Sequence, residues 1–400
     1  MNHKMIDAFR EANGGLFSSA DKADVGDAYE KLKNEGVDLM GWADPFMPDL
    51  SMPEFIKKAL IEAIEDESSP HYTAPIGNSE LKIEIAKKLK SFNHLEVDPL
   101  RNIIITPGSD SGLYFAILPF INDGDEVIIP SPSYPNNYLN IRIMGGKVVD
   151  YLLDETKGYQ IEEAELEKLV TPKTKMIILT HPNNPTTTVY NRKSLEALRN
   201  VVIRHDLVLV VDQAFEDYTY ENELITPASM DGMFEKTVTV FSVSKGMGLS
   251  GLRVGYIVAN DVIMDKMYAN AVGVIGATST SSQKAIIEAF RHPEFMNVFK
   301  EAYEYRRHKA YEILNSIPNV SCELPESGFL CWVNVSKLGN SGDITNYLVR
   351  EARVSINDGA FYGPGGEGHL RIVLGVFKDN EKVVKALLRI KDALIRYQNQ

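Results

Sequence analysis

The stretch TVTVFSVSKGMGLSGLRVGYIV, residues 237–258, decides how the rest of the sequence is interpreted. Its two apolar, β-rich runs, Thr237–Phe241 and Gly255–Val258, are typical of strands covered on both faces. Between them lies a turn rich in glycine and serine that carries one lysine, Lys245, and one arginine, Arg253. Glycines let a ligand approach the backbone, and hydroxyls and guanidinium groups bind phosphate oxygens. A lysine near cationic groups can lose its proton and attack a carbonyl, so the turn suits an anion and a nucleophilic amine.

Further strand-like runs alternate with helical patterns on the N-terminal side of this stretch. Strands are predicted over residues 103–106, 126–129, 147–152, 176–180 and 207–211. Apolar residues at helical spacing predict helices over residues 53–66 and 78–92. Alternation of this kind favours an α/β domain in three layers, α/β/α, with a mostly parallel sheet.

A different pattern follows residue 290. A long charged helix is predicted over residues 293–316, and strand-like runs at 329–335 and 370–374 are separated and followed by helices. This order indicates a smaller α+β domain. We therefore expect a large domain over residues 48–290, a small domain over 291–400, and an N-terminal segment, 1–47, that joins the small domain and covers the active site.

Composition limits the possible partners. The 400 residues carry a net charge of −13, which would repel nucleic acid phosphates and anionic lipid, so neither is an expected partner. The N-terminus lacks the apolar stretch of a signal peptide and no apolar run is long enough for a membrane span, which favours a cytoplasmic protein. Cys322 and Cys331 have no Cys or His partners at zinc-ligand spacing, so free thiols and no metal site are expected.

Four more strand ends carry side chains suited to a ligand. Asp212 ends one apolar run, Asn184 lies in a proline-stiffened turn after another, Ser109 precedes an apolar helix, and Tyr134 follows a fourth run. Ligands of open α/β sheets bind at this edge. Taken singly, each could be an ordinary cap or loop residue. Five junctions that carry phosphate donors, an aromatic ring, an amide, a carboxylate and an amine favour one shared crevice.

These residues resemble the class I/II aminotransferase family, related to aspartate aminotransferase, of the fold-type I pyridoxal-phosphate enzymes. The family's lysine motif is matched by Ser242, Ser244, Lys245, Arg253 and Gly255, and the resemblance covers nearly the whole chain. It implies pyridoxal 5′-phosphate as the cofactor, bound as a Schiff base to Lys245. It also implies transfer of an amino group from an L-amino acid to a 2-oxo acid.

The resemblance assigns cofactor contacts residue by residue. It implies phosphate binding by Ser242, Arg253 and the turn Gly108, Ser109 and Asp110, with Ser244 beside the lysine. It implies that Tyr134 stacks on the cofactor ring, that Asn184 bonds its 3′-oxygen, and that Asp212 pairs with its ring nitrogen. Asp212 and Lys245 are the implied catalytic residues.

Substrate and subunit contacts are implied in the same way. Arg371, in a segment after Gly363, resembles the family arginine that binds the substrate α-carboxylate, with Asn184 near it. Trp42 and Ala43 would lie in the wall that faces the substrate side chain, where they would make the pocket narrower and that wall apolar. Tyr72 resembles the tyrosine that reaches the phosphate of the neighbouring subunit, which implies a homodimer.

Three positions depart from the family pattern. Phe215 stands where many relatives carry a tyrosine whose hydroxyl faces the 3′-oxygen, so one hydrogen bond to the cofactor is missing. His181 replaces the usual first Asn of its motif, and Thr187 replaces the usual Gly. The segment Trp-Ala-Asp-Pro, residues 42–45, also stands where relatives have Gly-x-Pro-Asp beside the substrate. Together with His181 and Thr187, this segment favours an unusual substrate preference.

Three alternative functions are supported to different degrees by the motifs in the sequence. A β-eliminating lyase or an amino-acid racemase on the same fold shares the cofactor chemistry, and the sequence separates these reactions poorly. A nucleotide-dependent dehydrogenase or ligase is disfavoured because its glycine motifs are missing. A binding module without activity is disfavoured because Lys245 and Asp212 are both present.

Overall fold

The computed structural model describes residue 6 and residues 31–400, except residues 50, 68 and 75. Residues 1–5 and 7–30 of the predicted N-terminal segment therefore lie outside the described chain. After helical residues 31–34, the described chain forms a short strand, β1 (Asp38–Leu39), followed by helices α1 (Glu54–Glu65) and α2 (Ser79–Phe92). Both helices were predicted to within one residue. Helix α2 begins where the Asn78 side chain accepts hydrogen bonds from two backbone amides of the first turn, as an N-cap does.

A seven-stranded sheet lies at the centre of the described chain. Its strands are β2 (Ile103–Thr106), β3 (Glu126–Ser131), β4 (Lys147–Leu152), β5 (Thr174–Thr180), β6 (Val208–Asp212), β7 (Thr237–Ser242) and β8 (Gly255–Val258). They are arranged in the order β2-β8-β7-β6-β5-β3-β4. The strands from β7 to β4 are parallel, which confirms the prediction of a mostly parallel sheet, whereas β8 is antiparallel to both of its neighbours.

Successive residues of a strand point to opposite faces of a sheet, and the apolar strand residues make both faces of this sheet apolar. Helices cover both of these faces. They are α3 (Ser109–Ile117), α4 (Pro135–Ile143), α5 (Glu163–Glu167), α6 (Arg192–Arg204), α7 (Asp261–Val274) and α8 (Thr280–Arg291), together with α2. Ile104 of β2 packs in one apolar cluster with Leu113 of α3. The next residue, Ile105, packs in another with Ile286 of α8. The three-layer α/β/α prediction is confirmed.

The rest of the chain forms the smaller α+β unit. It contains α9 (Asn297–Leu314), β9 (Ser321–Cys322), β10 (Leu330–Asn334), α10 (Ser341–Glu351), β11 (Val354–Ser355), β12 (Asn357–Asp358), β13 (His369–Val373) and α11 (Asn380–Tyr397). Four of these strands form an antiparallel sheet in the order β12-β13-β10-β9. The predicted helix from residue 293 starts as a 3₁₀ turn, Pro293–Met296, before α9. The domain boundaries at residues 47 and 290 stay a prediction.

Residues 31–49 lie against the small unit. Strand β1 pairs in parallel with β11, and the carbonyl of Met40 accepts a hydrogen bond from the Val373 amide at 2.8 Å. Met40, Ala43 and Phe46 are buried in the same apolar cluster as α9, α10 and α11. The chain then passes close to the lysine turn after β7.

Both cysteines are free and buried. In the described residues, no helix is both long and apolar enough to cross a membrane.

Candidate active site

A cavity of about 500 Å³ lies where β5, β6 and β7 reach their carboxyl edge. Its wall contains most of the predicted site residues, all of which the structure describes: Trp42, Ala43, Ser109, Asp110, Tyr134, Asn184, Asp212, Phe215, Ser244, Lys245, Arg253 and Arg371. The other three, Gly108, Ser242 and Tyr72, lie outside the wall. The structure thus brings together residues from the central sheet, from the smaller α+β unit and from residues 41–44.

Lys245 lies three residues after the end of β7. Its Nζ donates a hydrogen bond to the carbonyl oxygen of Ala43 at 2.6 Å. Burial, and secondarily the positive charge of Arg371, lower the pKa of the Lys245 amine to about 8. A substantial fraction of this amine is therefore neutral at mildly alkaline pH, which is the form that attacks a carbonyl.

Asp212 is the last residue of β6, and its carboxylate is buried. Oδ1 accepts a hydrogen bond from the Ala214 amide at 3.2 Å. Burial raises the pKa of Asp212 to about 7, because the charged form is poorly solvated there. A cationic ligand group beside this carboxylate would compensate for the lost solvation.

The N-terminus of α3 and the guanidinium of Arg253 lie close together and form a candidate anion-binding site. A Cβ on Gly108 would overlap with the Arg253 guanidinium, and a Cβ on Gly255 would lie 2.7 Å from the Ser109 nitrogen. Glycine at both positions therefore lets the strand, the helix start and the arginine lie close together. Amides at a helix N-terminus bind phosphate, and an arginine strengthens the binding. The Arg253 Nη1 also donates to the Ser250 carbonyl at 3.1 Å.

Hydrogen bonds fix the aromatic and hydroxyl groups around this anion-binding site. The Tyr134 hydroxyl donates to Asp110 Oδ1 at 3.0 Å, and Asn136 Nδ2 donates to the same oxygen at 2.9 Å. Ser242 accepts a hydrogen bond at Oγ from the Ser244 amide at 3.1 Å. Ser242 lies outside the cavity wall, and its hydroxyl holds the backbone of Ser244, which lines the wall.

Arg371, in the middle of β13, links the smaller α+β unit to the central sheet. Its Nη1 donates to Asn184 Oδ1, in the turn after β5, at 3.1 Å. Its Nη2 donates to the Gly41 carbonyl at 2.8 Å and to Asn357 Oδ1 at 2.6 Å, and its Nε donates to Asn357 Oδ1 at 3.1 Å. These bonds hold a buried guanidinium in one orientation at the cavity wall.

The three departures from the family pattern occupy different environments. The Phe215 ring centroid lies 6.0 Å from Lys245 Nζ and 5.5 Å from the Phe329 ring, so Phe215 lines the cavity and packs on the small domain. His181 is fully buried and lies outside the wall, and burial lowers its pKa to about 4. Thr187 has a φ of 67°, a conformation that glycine adopts without strain.

Tyr72 is 98% exposed on this chain. Its neighbours in sequence are held by α8, because the Thr280 hydroxyl donates to the His71 carbonyl at 2.8 Å. Thr73 and Thr280 also share a hydrogen bond, with their hydroxyl oxygens 2.6 Å apart. The segment therefore presents the Tyr72 side chain outward from a fixed backbone.

Sequence reasoning missed three residues that organise the site. Asp44 Oδ1 accepts a hydrogen bond from Ser250 Oγ at 2.7 Å, which ties the N-terminal segment to the lysine turn. Ser250 lies in the Gly- and Ser-rich stretch, so its position was a usable signal. Asn357, which orients Arg371, is the first residue of the two-residue strand β12 and carries no sequence signal.

Comparisons with known proteins agree with this geometry. The family model for aminotransferase class I and II matches residues 38–389. Aromatic-amino-acid aminotransferase 2 of Thermococcus litoralis is 32% identical and covers 90% of this chain and 92% of its own length. The aspartate aminotransferase of Pyrococcus abyssi is also 32% identical, over 87% of this chain and 90% of its own.

Solved structures show the same architecture. The aromatic aminotransferase from Pyrococcus horikoshii OT3 superposes with a TM-score of 0.85 at 29% identity and covers 92% of this chain and 98% of that one. The chain belongs to the class I and II aminotransferases.

Proposed function

We propose that the cavity around Lys245 carries out the amino transfer of this aminotransferase, from an L-amino acid to a 2-oxo acid. The observation that carries the proposal is one shared cavity wall. The buried amine of Lys245, the carboxylate of Asp212 and the guanidinium of Arg371 all line it, although they come from three distant parts of the chain. The lyase or racemase alternative is not favoured, because the similar proteins are named aminotransferases.

The residues present fit pyridoxal phosphate, which is the cofactor of this family. The start of α3 at Ser109 and the Arg253 guanidinium would hold the phosphate. The buried carboxylate of Asp212 would pair with a protonated ring nitrogen, and Tyr134 offers its ring as a stacking surface. Asn184 would donate to the 3′-oxygen. When bound, the cofactor supplies an aldehyde that condenses with amines and a ring that withdraws electrons from the substrate Cα.

Lys245 and Arg371 would act on the amino acid itself. Because burial and Arg371 lower its pKa, the Lys245 amine can serve as nucleophile and as the base that removes the Cα proton. The guanidinium of Arg371, held by Asn357 and Gly41, would bind the α-carboxylate. Bound in this way, the amino acid has its amino end near Lys245 and its carboxyl end at β13.

The complete site would include a second subunit. Aminotransferases of this family are typically dimeric. Tyr72 lies outside its own chain's cavity wall and is almost fully exposed, which suits a side chain that reaches the phosphate in the partner's site. We therefore propose a homodimer in which each Tyr72 completes the other chain's anion-binding site.

The visible absorbance of the purified protein with pyridoxal phosphate tests the proposal. Wild type should gain a visible band that Lys245→Ala lacks, whereas Lys87→Ala, which changes an exposed lysine of α2, should keep it. Adding the right amino acid should bleach the band and release one equivalent of 2-oxo acid. A band in Lys245→Ala, or release of ammonia or racemised substrate instead of oxo acid, would contradict the proposal.

A further inference from the structure

The segment Gly41-Trp42-Ala43 runs between the two groups proposed to hold the ends of the amino acid. The Gly41 carbonyl accepts a hydrogen bond from Arg371 Nη2 at 2.8 Å, and the Ala43 carbonyl accepts one from Lys245 Nζ at 2.6 Å. The α-carboxylate belongs at Arg371 and the amino group at Lys245. The segment therefore passes beside the Cα of the bound substrate, from which the side chain projects.

Trp42 is the large side chain that this segment contributes to the cavity. A Cβ on Gly41 would lie 3.1 Å from Asn357 Nδ2, so that side of the segment is filled. Ala43 is buried and also belongs to the apolar cluster of the small domain. Trp42 is 38% exposed and is the largest residue that the segment places in the cavity wall.

The described wall residues of one chain leave no cationic partner for an acidic substrate side chain. Among the described wall residues the cationic side chains are Lys245, Arg253 and Arg371. Each of these three already has a partner in the proposed function: the amino group, the phosphate and the α-carboxylate. The same wall contains carboxylates, including Asp44, which follows Ala43 directly. A second substrate carboxylate would be desolvated without a cation and repelled by this charge.

We propose that the site selects amino acids with an uncharged, apolar side chain, preferably an aromatic ring, and that Trp42 is the specificity-determining residue. This inference rests on the proposed function and adds its substrate class. Besides Trp42, Leu113 and Phe215 contribute apolar surface to the wall. Indole and phenyl rings pack well edge-to-face or offset, which favours an aromatic substrate over a small one.

Steady-state rates of the holoenzyme with L-phenylalanine and L-aspartate test the preference. We expect kcat/KM for L-phenylalanine to exceed that for L-aspartate by roughly 10-fold or more. Trp42→Ala should raise the KM for L-phenylalanine by about 10-fold with a smaller change in kcat, because it removes binding surface rather than a reacting group. Tyr311→Ala, which removes a 43% exposed ring from α9, is the matched control and should keep the preference.

Equilibrium binding of unreactive acids gives a readout that does not depend on turnover. Calorimetric titration of the holoenzyme with 3-phenylpropionate should yield a lower Kd than titration with succinate. Trp42→Ala should weaken binding of 3-phenylpropionate, whereas Trp42→Phe, which retains a ring, should bind it more nearly as wild type does. Thermal unfolding of each variant shows whether a loss of binding comes from loss of the fold.

Two outcomes would overturn this inference. One is a wild-type preference for L-aspartate or for succinate, which would require a cation from outside the described wall. The other is an unchanged preference in a folded Trp42→Ala enzyme. Both leave the Lys245-dependent visible band intact, so the proposed function would survive. Absence of that band in wild type would instead remove the proposed function.

Discussion

At the scale of single residues, the reactivity of Lys245 depends on its surroundings. Burial, and then Arg371, lower its pKa to about 8, so its neutral fraction falls as the pH drops below that value. Capture of pyridoxal phosphate by the protein free of cofactor should therefore be half-maximal near pH 8 and slow about 10-fold per pH unit well below it. Stopped-flow absorbance from pH 6 to 10 measures this profile.

Arg371→Met should move the same profile to higher pH. Removing the neighbouring positive charge favours protonated Lys245, so its pKa rises and capture at neutral pH slows. Because burial is the larger cause, the midpoint should stay below that of a free lysine. Identical profiles for wild type and Arg371→Met would show that the arginine does not influence the amine.

Phe215 lacks the hydroxyl that a tyrosine would have at this position, and we expect this to change the pH at which the bound cofactor titrates. With no donor at this position, the 3′-oxygen of the bound cofactor should hold a shared proton more tightly, so the visible band should titrate at higher pH than in relatives with tyrosine. Phe215→Tyr should lower the midpoint of the holoenzyme's spectral titration. Phe329→Tyr, a neighbouring ring outside the wall, serves as control. A midpoint unmoved by Phe215→Tyr would contradict this role.

At the scale of elements, the contact between β8 and the start of α3 determines the anion-binding site. Gly255→Ala would place a methyl group 2.7 Å from backbone atoms of Gly108 and Ser109, which cannot rotate away. We expect a loss of roughly 1–3 kcal/mol in unfolding free energy from overpacking, and weaker pyridoxal phosphate binding. Chemical denaturation and cofactor titration measure the two effects.

Gly273→Ala in α7 is the matched control for this substitution. The space around a Cβ at Gly273 is open, and its helical backbone accepts alanine. This variant should keep cofactor affinity and gain slightly in stability, because alanine is the better helix former. Equal cofactor affinity in Gly255→Ala and Gly273→Ala would show that the β8–α3 contact does not shape the site.

Local patterns in the sequence were enough to locate the seven strands of the central sheet and the residues at their ends, but not the two-residue strands β1, β9, β11 and β12. An apolar run such as GYIV, residues 255–258, predicts a strand but not the direction in which the strand runs in the sheet. The antiparallel orientation of β8 could therefore not be predicted. Its direction depends on pairing with β2 and β7, which lie far apart in the chain. The strand-end residues Asp212 and Ser109 were predictable because they stand next to strong local signals.

At the scale of the whole molecule, the proposed exchange of Tyr72 predicts complementation between inactive sites. A mixed dimer of Lys245→Ala and Tyr72→Phe chains has one Lys245, and its site would receive Tyr72 from the other chain. This site should bind pyridoxal phosphate as tightly as wild type, whereas the Tyr72→Phe homodimer should bind it more weakly. Weak binding in the mixed dimer as well would show that Tyr72 acts within its own chain.

Contacts between remote segments are what the sequence could not supply. Asn357 and Gly41 orient Arg371 from two separate parts of the chain, and Ser250 meets Asp44 across 206 positions. No local period or spacing encodes such a pair. Trp42 was identified only through the resemblance, and its place between the contacts to Arg371 and Lys245 depends on segments that are remote in sequence.

The carbonyl groups of Gly41 and Ala43 connect two functional side chains through one short stretch of backbone. Each one fixes a functional group, Arg371 or Lys245, and only two Cα–Cα steps of about 3.8 Å separate the two residues. A shift of residues 41–43 would therefore displace Arg371 and Lys245 together, which couples the two sides of the cavity wall.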